Sequence, residues 1–250
     1  MRFKGEVAVV TGAGSGVGLA SVHLFLEAGC RVVATARRQD QLRMLGAISS
    51  SSVLPVELDV TSPEGWQRTV AATLDRFGAI DILFNNAGIT ERAEILETSL
   101  AFWERVIRTN LTSVFLGCKS VIPAMLKSGS GAIVNHASIN AIQGNVNLVA
   151  YCASKGGVAA MTRALALDYA TRGIRVNCIC SAAIDTPMTR DYLTTVDDLE
   201  GARASIIKKH PIGRMATAEE IASVAVFLAS REASYMTGTT IPVDGGRSIR

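Results

Sequence analysis

Tyr151 and Lys155 stand four residues apart in "AYCASKGG", residues 150–157, among small side chains and just ahead of two glycines. On a helix, positions i and i+4 lie one above the other on one face, so a phenol and an ammonium become neighbours. Free tyrosine has a pKa of about 10 and is a poor base at neutral pH; a nearby positive charge favours phenolate and moves the group toward the operating pH. On an exposed helix the same pair is an ordinary solvated face, with the lysine stem covering the ring. Ser138, thirteen residues before Tyr151, closes a run of apolar residues and offers a hydroxyl to a reacting oxygen, although a serine there also fits a turn or a helix cap. Together the three suit proton exchange.

A second cluster is "VVTGAGSGVGLA", residues 9–20, with glycines at 12, 14, 16 and 18. It follows an apolar run and opens a helical one. Glycines there let the backbone turn sharply and approach a pyrophosphate, which the helix N-terminus attracts with free N–H groups and its dipole. The spacing is G-x-x-x-G-x-G rather than G-x-G-x-x-G, because Val17 stands where the latter needs glycine.

The elements that must carry these residues alternate. Apolar runs rich in Val and Ile predict strands over 7–11, 31–36, 53–58, 80–85, 132–137, 175–180 and 240–243; helical patterns fall over 16–28, 63–77, 99–126, 151–171 and 218–229. Seven near-continuous apolar strands separated by helices predict an α/β fold, a doubly wound, Rossmann-like parallel sheet covered by helices on both faces. Ligands of such sheets bind beyond the carboxyl ends of the strands. The serines at 49–52 form only a loop, so one domain over 1–250 is expected. Residues 182–211 are too long for an ordinary connection and are expected to form a substrate lid with one or two short helices; an excursion serving an oligomer contact is the other reading.

Composition narrows the partners. The chain has 250 residues, 48% hydrophobic and 19% charged, which suffices for a large core. Its net charge of +3 is spread without like-charge blocks, so neither a nucleic-acid footprint nor a polybasic membrane anchor is expected. The apolar run near the N-terminus is too short for a signal peptide or membrane span, and a cytoplasmic location is expected. Five cysteines, at 30, 118, 152, 178 and 180, and three histidines, at 23, 136 and 210, show no ligand spacing, so no metal site is expected. Cys178 and Cys180 read as small buried hydrophobes on a strand.

Taken in order, these landmarks resemble the short-chain dehydrogenase/reductase family over nearly the whole chain: Thr11–Gly18, "NNAG" at 85–88, Asn110, Ser138, Tyr151 with Lys155, "RVN" at 175–177 and "VDGG" at 243–246. The resemblance implies Tyr151 as the proton donor or acceptor, Lys155 as its tuning charge and the holder of the nicotinamide ribose, and Ser138 at the substrate oxygen. It assigns Asn110 to a helix irregularity that holds a water of the proton relay. Gly12, Ser15, Gly16, Val17 and Gly18 would surround the pyrophosphate, Asp59 and Val60 the adenine, Asn86, Ala87 and Gly88 the adenosine ribose, and Ile184 and Thr186 the carboxamide. Asp59 also fits the start of the turn "DVTSPE". Many relatives carry Pro-Gly after the sixth strand, where this chain reads Ser181-Ala182.

Ala36 occupies the place of the family's NAD-selective acid and is followed by Arg37 and Arg38, whose guanidinium groups suit a 2′-phosphate. NADP(H) is therefore expected as cofactor, with Ser15 adding a hydrogen bond; NAD stays open if the arginines merely begin a solvated helix. Substrate walls are expected from Ser138, Ile139, Asn140, Gln143, Ala183 and Met188, mixed apolar and amide, which favours a neutral ketone or secondary alcohol. Arg190 and the pair Lys208 and Lys209 keep an acidic or carrier-linked substrate open. The expected activity is interconversion of a carbonyl and a secondary alcohol by a homo-oligomer, a tetramer by resemblance. The alternatives are a catalytically silent dinucleotide-binding regulator and an NAD-dependent alcohol dehydrogenase.

Overall fold

Strands that are apolar at every position need cover on both faces. The computed structural model, which describes residues 2–249, provides it. In chain order the elements are β1 (Val7–Val10), α1 (Gly16–Glu27), β2 (Arg31–Ala36), α2 (Gln39–Gly46), β3 (Val53–Glu57), α3 (Pro63–Phe77) and β4 (Ile82–Asn85). Then come α4 (Leu100–Ile107), α5 (Ser113–Ser128), β5 (Gly131–His136), α6 (Val149–Tyr169) and β6 (Ile174–Ser181). The chain ends with α7 (Pro187–Leu193), α8 (Leu199–Lys208), α9 (Ala218–Ala229) and β7 (Thr240–Val243). The strands form one seven-stranded sheet in the order β3-β2-β1-β4-β5-β6-β7, and every pairing is parallel.

Alternate residues of one strand serve opposite cores. Ala8 and Val10 of β1 join Phe25 of α1 and Ile221, Ala225 and Leu228 of α9 on one face. Val7 and Val9 join Trp66 of α3, Val121 and Met125 of α5 and Val158 of α6 on the other. Both faces are dry, so the hydrophobic run shows no polar alternation. Cys178 and Cys180 of β6 belong to this second core, as small buried side chains.

Local chemistry sets the boundaries. Ser62 caps α3, its Oγ accepting from Gly65 N at 3.0 Å with Pro63 in the first turn, and Gly78 ends the helix at φ 79°. Thr217 and Glu220 close a capping box on α9. β4 begins at Ile82 rather than Ile80, because the Asp81 carboxylate turns back to accept from Val7 N at 2.8 Å. The expected helix over 99–126 is two helices joined by a π turn, Arg108–Thr112. The expected segments include no counterpart of α2, which has eight residues and buries only Leu45. Residues 182–211 do contain two helices, α7 and α8.

Arg175, in the "RVN" stretch, is tied to the far end of α9. Its two terminal nitrogens donate to the carbonyls of Leu228, Ala229, Ser230, Ala233 and Met236 at 2.8–3.3 Å. A guanidinium thus covers carbonyls that a helix C-terminus leaves without partners, at its negative dipole end. Arg175→Gln is expected to lower stability by about 3 kcal/mol, measured by urea unfolding, because it leaves several carbonyls unpaired. A lysine in the same place restores only part of the loss, since it lacks the planar fork.

Candidate active site

The carboxyl ends of β1, β4, β5 and β6 open onto one crevice, and the connections that leave them meet there. After β1, Gly12 and Gly16 adopt φ values of 64° and 52°. A side chain on Gly18 would strike Gly12 O at 2.1 Å, so glycine alone lets α1 pack this close to the turn. Ser15 is the exposed N-cap of α1, yet its hydroxyl makes no capping bond, and no acidic residue occupies the first turn. The helix therefore presents N–H groups and a hydroxyl to an anion, which fits the pyrophosphate of a dinucleotide. Val17 is buried just beneath.

Thr11 fastens this turn to the next connection, its Oγ1 accepting from Asn86 N at 2.9 Å and Ala87 N at 3.1 Å. A methyl of Thr186, the N-cap of α7, lies 3.1 Å from where a Gly16 side chain would begin, and Ile184 forms a lone bridge with Ala216. At the other side of the opening Arg37 is exposed, while Arg38 pairs with Asp40 at 3.1 Å. Asp59 accepts from Thr61 N at 2.9 Å and Thr61 Oγ1 at 2.8 Å. Those bonds, with Arg37 and Arg108 nearby, hold its carboxyl below the usual range. Asp59 thus does start a turn, while remaining exposed at the crevice. Val60 is buried, its carbonyl accepting from Trp66 Nε1 at 3.0 Å.

At the other end, α6 carries Tyr151 and Lys155 on one face, with Lys155 Nζ 5.8 Å from the centre of the Tyr151 ring. Lys155 is only 5% exposed and donates to His136 O at 2.8 Å. Burial pulls its pKa down to about 8, against a small opposing pull from Cys178 and Cys180. Ser138, the cap of a short 3-10 turn after β5, and Thr90, after β4, bring their hydroxyls beside Tyr151, where they favour phenolate. Burial outweighs them and raises the pKa above its ordinary value. Against the expectation from spacing, the chain alone holds the phenol protonated, because desolvation of a phenolate is the larger effect.

Asn110 sits in the π turn with no exposure. Its Oδ1 accepts from Ile89 N at 2.8 Å, and its Nδ2 donates to Ile89 O at 2.9 Å and Ser154 Oγ at 3.2 Å. The asparagine therefore pairs with the 88–90 connection as a strand would. A side chain at Gly88 would lie 3.2 Å from Asn110 Oδ1 and 3.5 Å from Lys155 Nζ, so this loop passes close to both.

Of the expected substrate walls, Gln143 and Ala183 are half-buried, and Met188 is exposed on α7, where Thr90 Oγ1 donates to its sulfur at 3.6 Å. Asn140 is buried with no hydrogen-bond partner for its Oδ1. Ile139 is packed inward at 1% exposure and offers no surface to a ligand.

His136 escaped the sequence reading, which treated the histidines only as possible metal ligands. It bridges the crevice floor. Asn86 Nδ2 donates to Thr11 O at 3.0 Å and Gly12 O at 3.4 Å, so its Oδ1 must face the ring and accept from His136 Nδ1 at 3.0 Å. The other ring nitrogen then accepts from Ser181 Oγ at 2.8 Å, and the ring stacks on Phe84. One neutral imidazole thereby connects the glycine turn to the end of β6, where Ser181 stands in place of proline. Burial, then the Lys155 charge, pushes its pKa down to about 3. The usable signal was position: a polar aromatic two residues before Ser138 at the end of a buried strand.

A family model described as Enoyl-(Acyl carrier protein) reductase matches residues 12–248. The 3-oxoacyl-(acyl-carrier-protein) reductase FabG of Thermotoga maritima is 39% identical over 252 residues, covering 100% of both chains. The 2,5-dichloro-2,5-cyclohexadiene-1,4-diol dehydrogenase LinX of Sphingobium indicum is 36% identical, with 99% of this chain and 98% of the relative covered. Among solved structures, levodione reductase superposes with a TM-score of 0.95 at 36% identity, covering 99% of each chain.

The neutral bridge has a pH signature. An unfolded chain protonates His136 near 6.5 and the folded chain only near 3, so its contribution to stability is complete above pH 6.5 and lost progressively as pH falls toward 3. Between about pH 7.5 and about pH 5 this residue alone is expected to remove about 2 kcal/mol. Urea unfolding of the protein and of His136→Asn at both pH values measures it, the variant showing the shallower dependence. Nitrogen chemical shifts of the His136 ring are expected to report the Nδ1–H form throughout that range.

Proposed function

The chain belongs to the short-chain dehydrogenase/reductase family of NAD(P)-dependent oxidoreductases, and on that premise we propose that it interconverts a ketone and a secondary alcohol with NADP(H), Tyr151 exchanging the proton at the substrate oxygen. The observation that carries this reading is the buried Lys155, bonded to His136 O and 5.8 Å from the Tyr151 ring one helical turn away, in the crevice that also holds Ser138 and the glycine turn.

Ser138 orients the substrate oxygen toward the phenol and shares its developing charge. In reduction Tyr151, protonated at neutral pH, donates its proton to that oxygen. A bound nicotinamide supplies or accepts the hydride at the substrate carbon. In oxidation Tyr151 must first lose its proton, which Lys155 and the positive charge of the oxidised ring both favour. Asn110, by fixing the 88–90 connection and the π turn, orders the inner end of the proton path.

Gly12, Ser15, Gly16 and Gly18, over Val17, would hold the pyrophosphate; Asp59 and Val60 the adenine; Asn86, Ala87 and Gly88 the adenosine ribose; Ile184 and Thr186 the carboxamide; Lys155 the nicotinamide ribose. Arg37 is the 2′-phosphate ligand, since it is exposed at the crevice while Arg38 is engaged by Asp40. The α7–α8 segment acts as a lid over the substrate walls. The protein works as a homo-oligomer, supported by the exposed Phe115 on α5 and Leu167 on α6.

Tyr151→Phe is expected to abolish turnover of a ketone panel while NADPH still binds, followed by nicotinamide absorbance and by titration. Retained turnover removes Tyr151 from the role, and binding without turnover in the unaltered protein assigns a regulator instead. The two directions should respond oppositely to pH: reduction needs the protonated phenol and falls only on the alkaline side, whereas oxidation needs the phenolate and rises with pH. Arg37→Ala is expected to weaken NADPH binding about tenfold or more, with little change for NADH; equal losses in measured dissociation constants remove the NADP assignment.

A further inference from the structure

Beside the mouth of the crevice lies a cavity of about 520 Å³ lined by Gln143, Asn145, Ser205, Lys208, Lys209 and Arg247. It draws on three parts of the chain: the connection after Ser138, the end of α8 and the segment after β7. Arg92 reaches the same region from the connection after β4, its guanidinium 4.5 Å from the centre of the Tyr192 ring on α7. Burial, then repulsion from Arg247 and Arg92, lowers the pKa of Lys209; burial, then Arg92, lowers that of Arg247, with Asp244 opposing. These cations feel one another. Asp244, the acid facing Arg247, is already taken up by Gly246 N at 3.0 Å and Ser248 N at 2.7 Å. Among the described residues, none of the ion pairs to a carboxylate involves Arg92, Lys209 or Arg247.

Asp244 offsets only part of this like charge, and an anion joining Lys209 and Arg247 in use would relieve the rest. The cluster is also within reach of the chemistry. Thr90 lies beside Tyr151, and Arg92 follows two residues later, at most about 7 Å along the backbone. Gln143, in the cavity wall, follows Ser138 by five residues. A small molecule whose carbonyl rests on Ser138 and Tyr151 can therefore place its other end among these side chains.

We infer that the substrate of the proposed oxidoreductase carries an anionic group, a carboxylate or a phosphate, seated between Lys209 and Arg247 while its ketone lies against Tyr151. The inference rests on the oxidoreductase reading and deepens it: the inner walls suit a neutral carbonyl, and the outer cavity takes the charge. Guanidinium groups pair with either oxyanion in forked geometry, and Asn145 and Ser205 offer further hydrogen bonds.

The test uses the full chain with NADPH and two matched pairs of ketones, levulinate against methyl levulinate and hydroxyacetone phosphate against methoxyacetone. The anionic member of at least one pair is expected to show a kcat/KM about tenfold or more above its neutral partner, and the pair that does so tells carboxylate from phosphate. Lys209→Gln and Arg247→Gln should each lower that advantage about tenfold, through KM, with the neutral ketones and NADPH binding unchanged. Added salt should erode it in the same way. Equal use of both members of each pair overturns the inference and leaves the oxidoreductase reading standing, as do variants that slow both members alike. A strong preference for an acidic carrier protein's thioester over both small anions also overturns it. If no ketone is turned over, calorimetric binding of levulinate and hydroxyacetone phosphate to the NADPH-loaded chain decides separately: binding lost in Arg247→Gln upholds the site, and no binding overturns it.

Discussion

A lysine nitrogen almost wholly removed from water, bonded at 2.8 Å to the carbonyl of His136, is the interaction on which the crevice depends. An unpaired ammonium in that position would pull the helix away or lose its proton. The carbonyl comes from the last residue of β5, so the bond pins α6 to the end of the sheet and sets the height at which Tyr151 stands. Burial brings the lysine to a pKa of about 8, near enough to neutrality that its charge responds to whatever else enters the site. The phenol is pushed the opposite way by the same burial. Each group resists its charged form, and a positive charge arriving between them favours the phenolate while disfavouring the ammonium.

That bond is only as rigid as what surrounds the carbonyl. The His136 side chain spans Asn86 and Ser181, Asn86 holds the carbonyls of the glycine turn, and Asn110 laces the π turn to Ile89. These amides and the imidazole are buried and paired, and such networks specify one arrangement because each broken link leaves a partner without water. They connect the half of the crevice suited to phosphates with the half suited to proton exchange. Two sites that look separate along the chain therefore share one polar floor. The Ser181 hydroxyl is the last link of that floor.

The broad architecture was legible because its cause is local. A strand dry on both faces needs Val and Ile at nearly every position, and βα alternation admits few arrangements. Caps at Ser62 and Thr217 and the glycine at 78 lie in the sequence as plainly as in the fold. Local reasoning failed where a tertiary contact decided the outcome. Asp81 delays the start of its strand by turning to Val7, and α2 has too little apolar surface to announce itself. Residues 99–126 carry one helical pattern, and the π turn within them accompanies the pairing of Asn110 with Ile89, outside that helix.

By itself the sequence determined the sheet, its cover, and the presence of a serine, a tyrosine and a lysine at spacings that suit proton exchange. Spacing on a single helix is enough to make Tyr151 and Lys155 neighbours, because helical geometry is the same in every protein. Only the tertiary structure decided how those groups titrate, since desolvation depends on everything packed around them. It also decided that His136 is a neutral bridge and that Lys209 and Arg247 share one cavity with Gln143. Residues so far apart in the chain are brought together by long-range packing, and no local pattern records that.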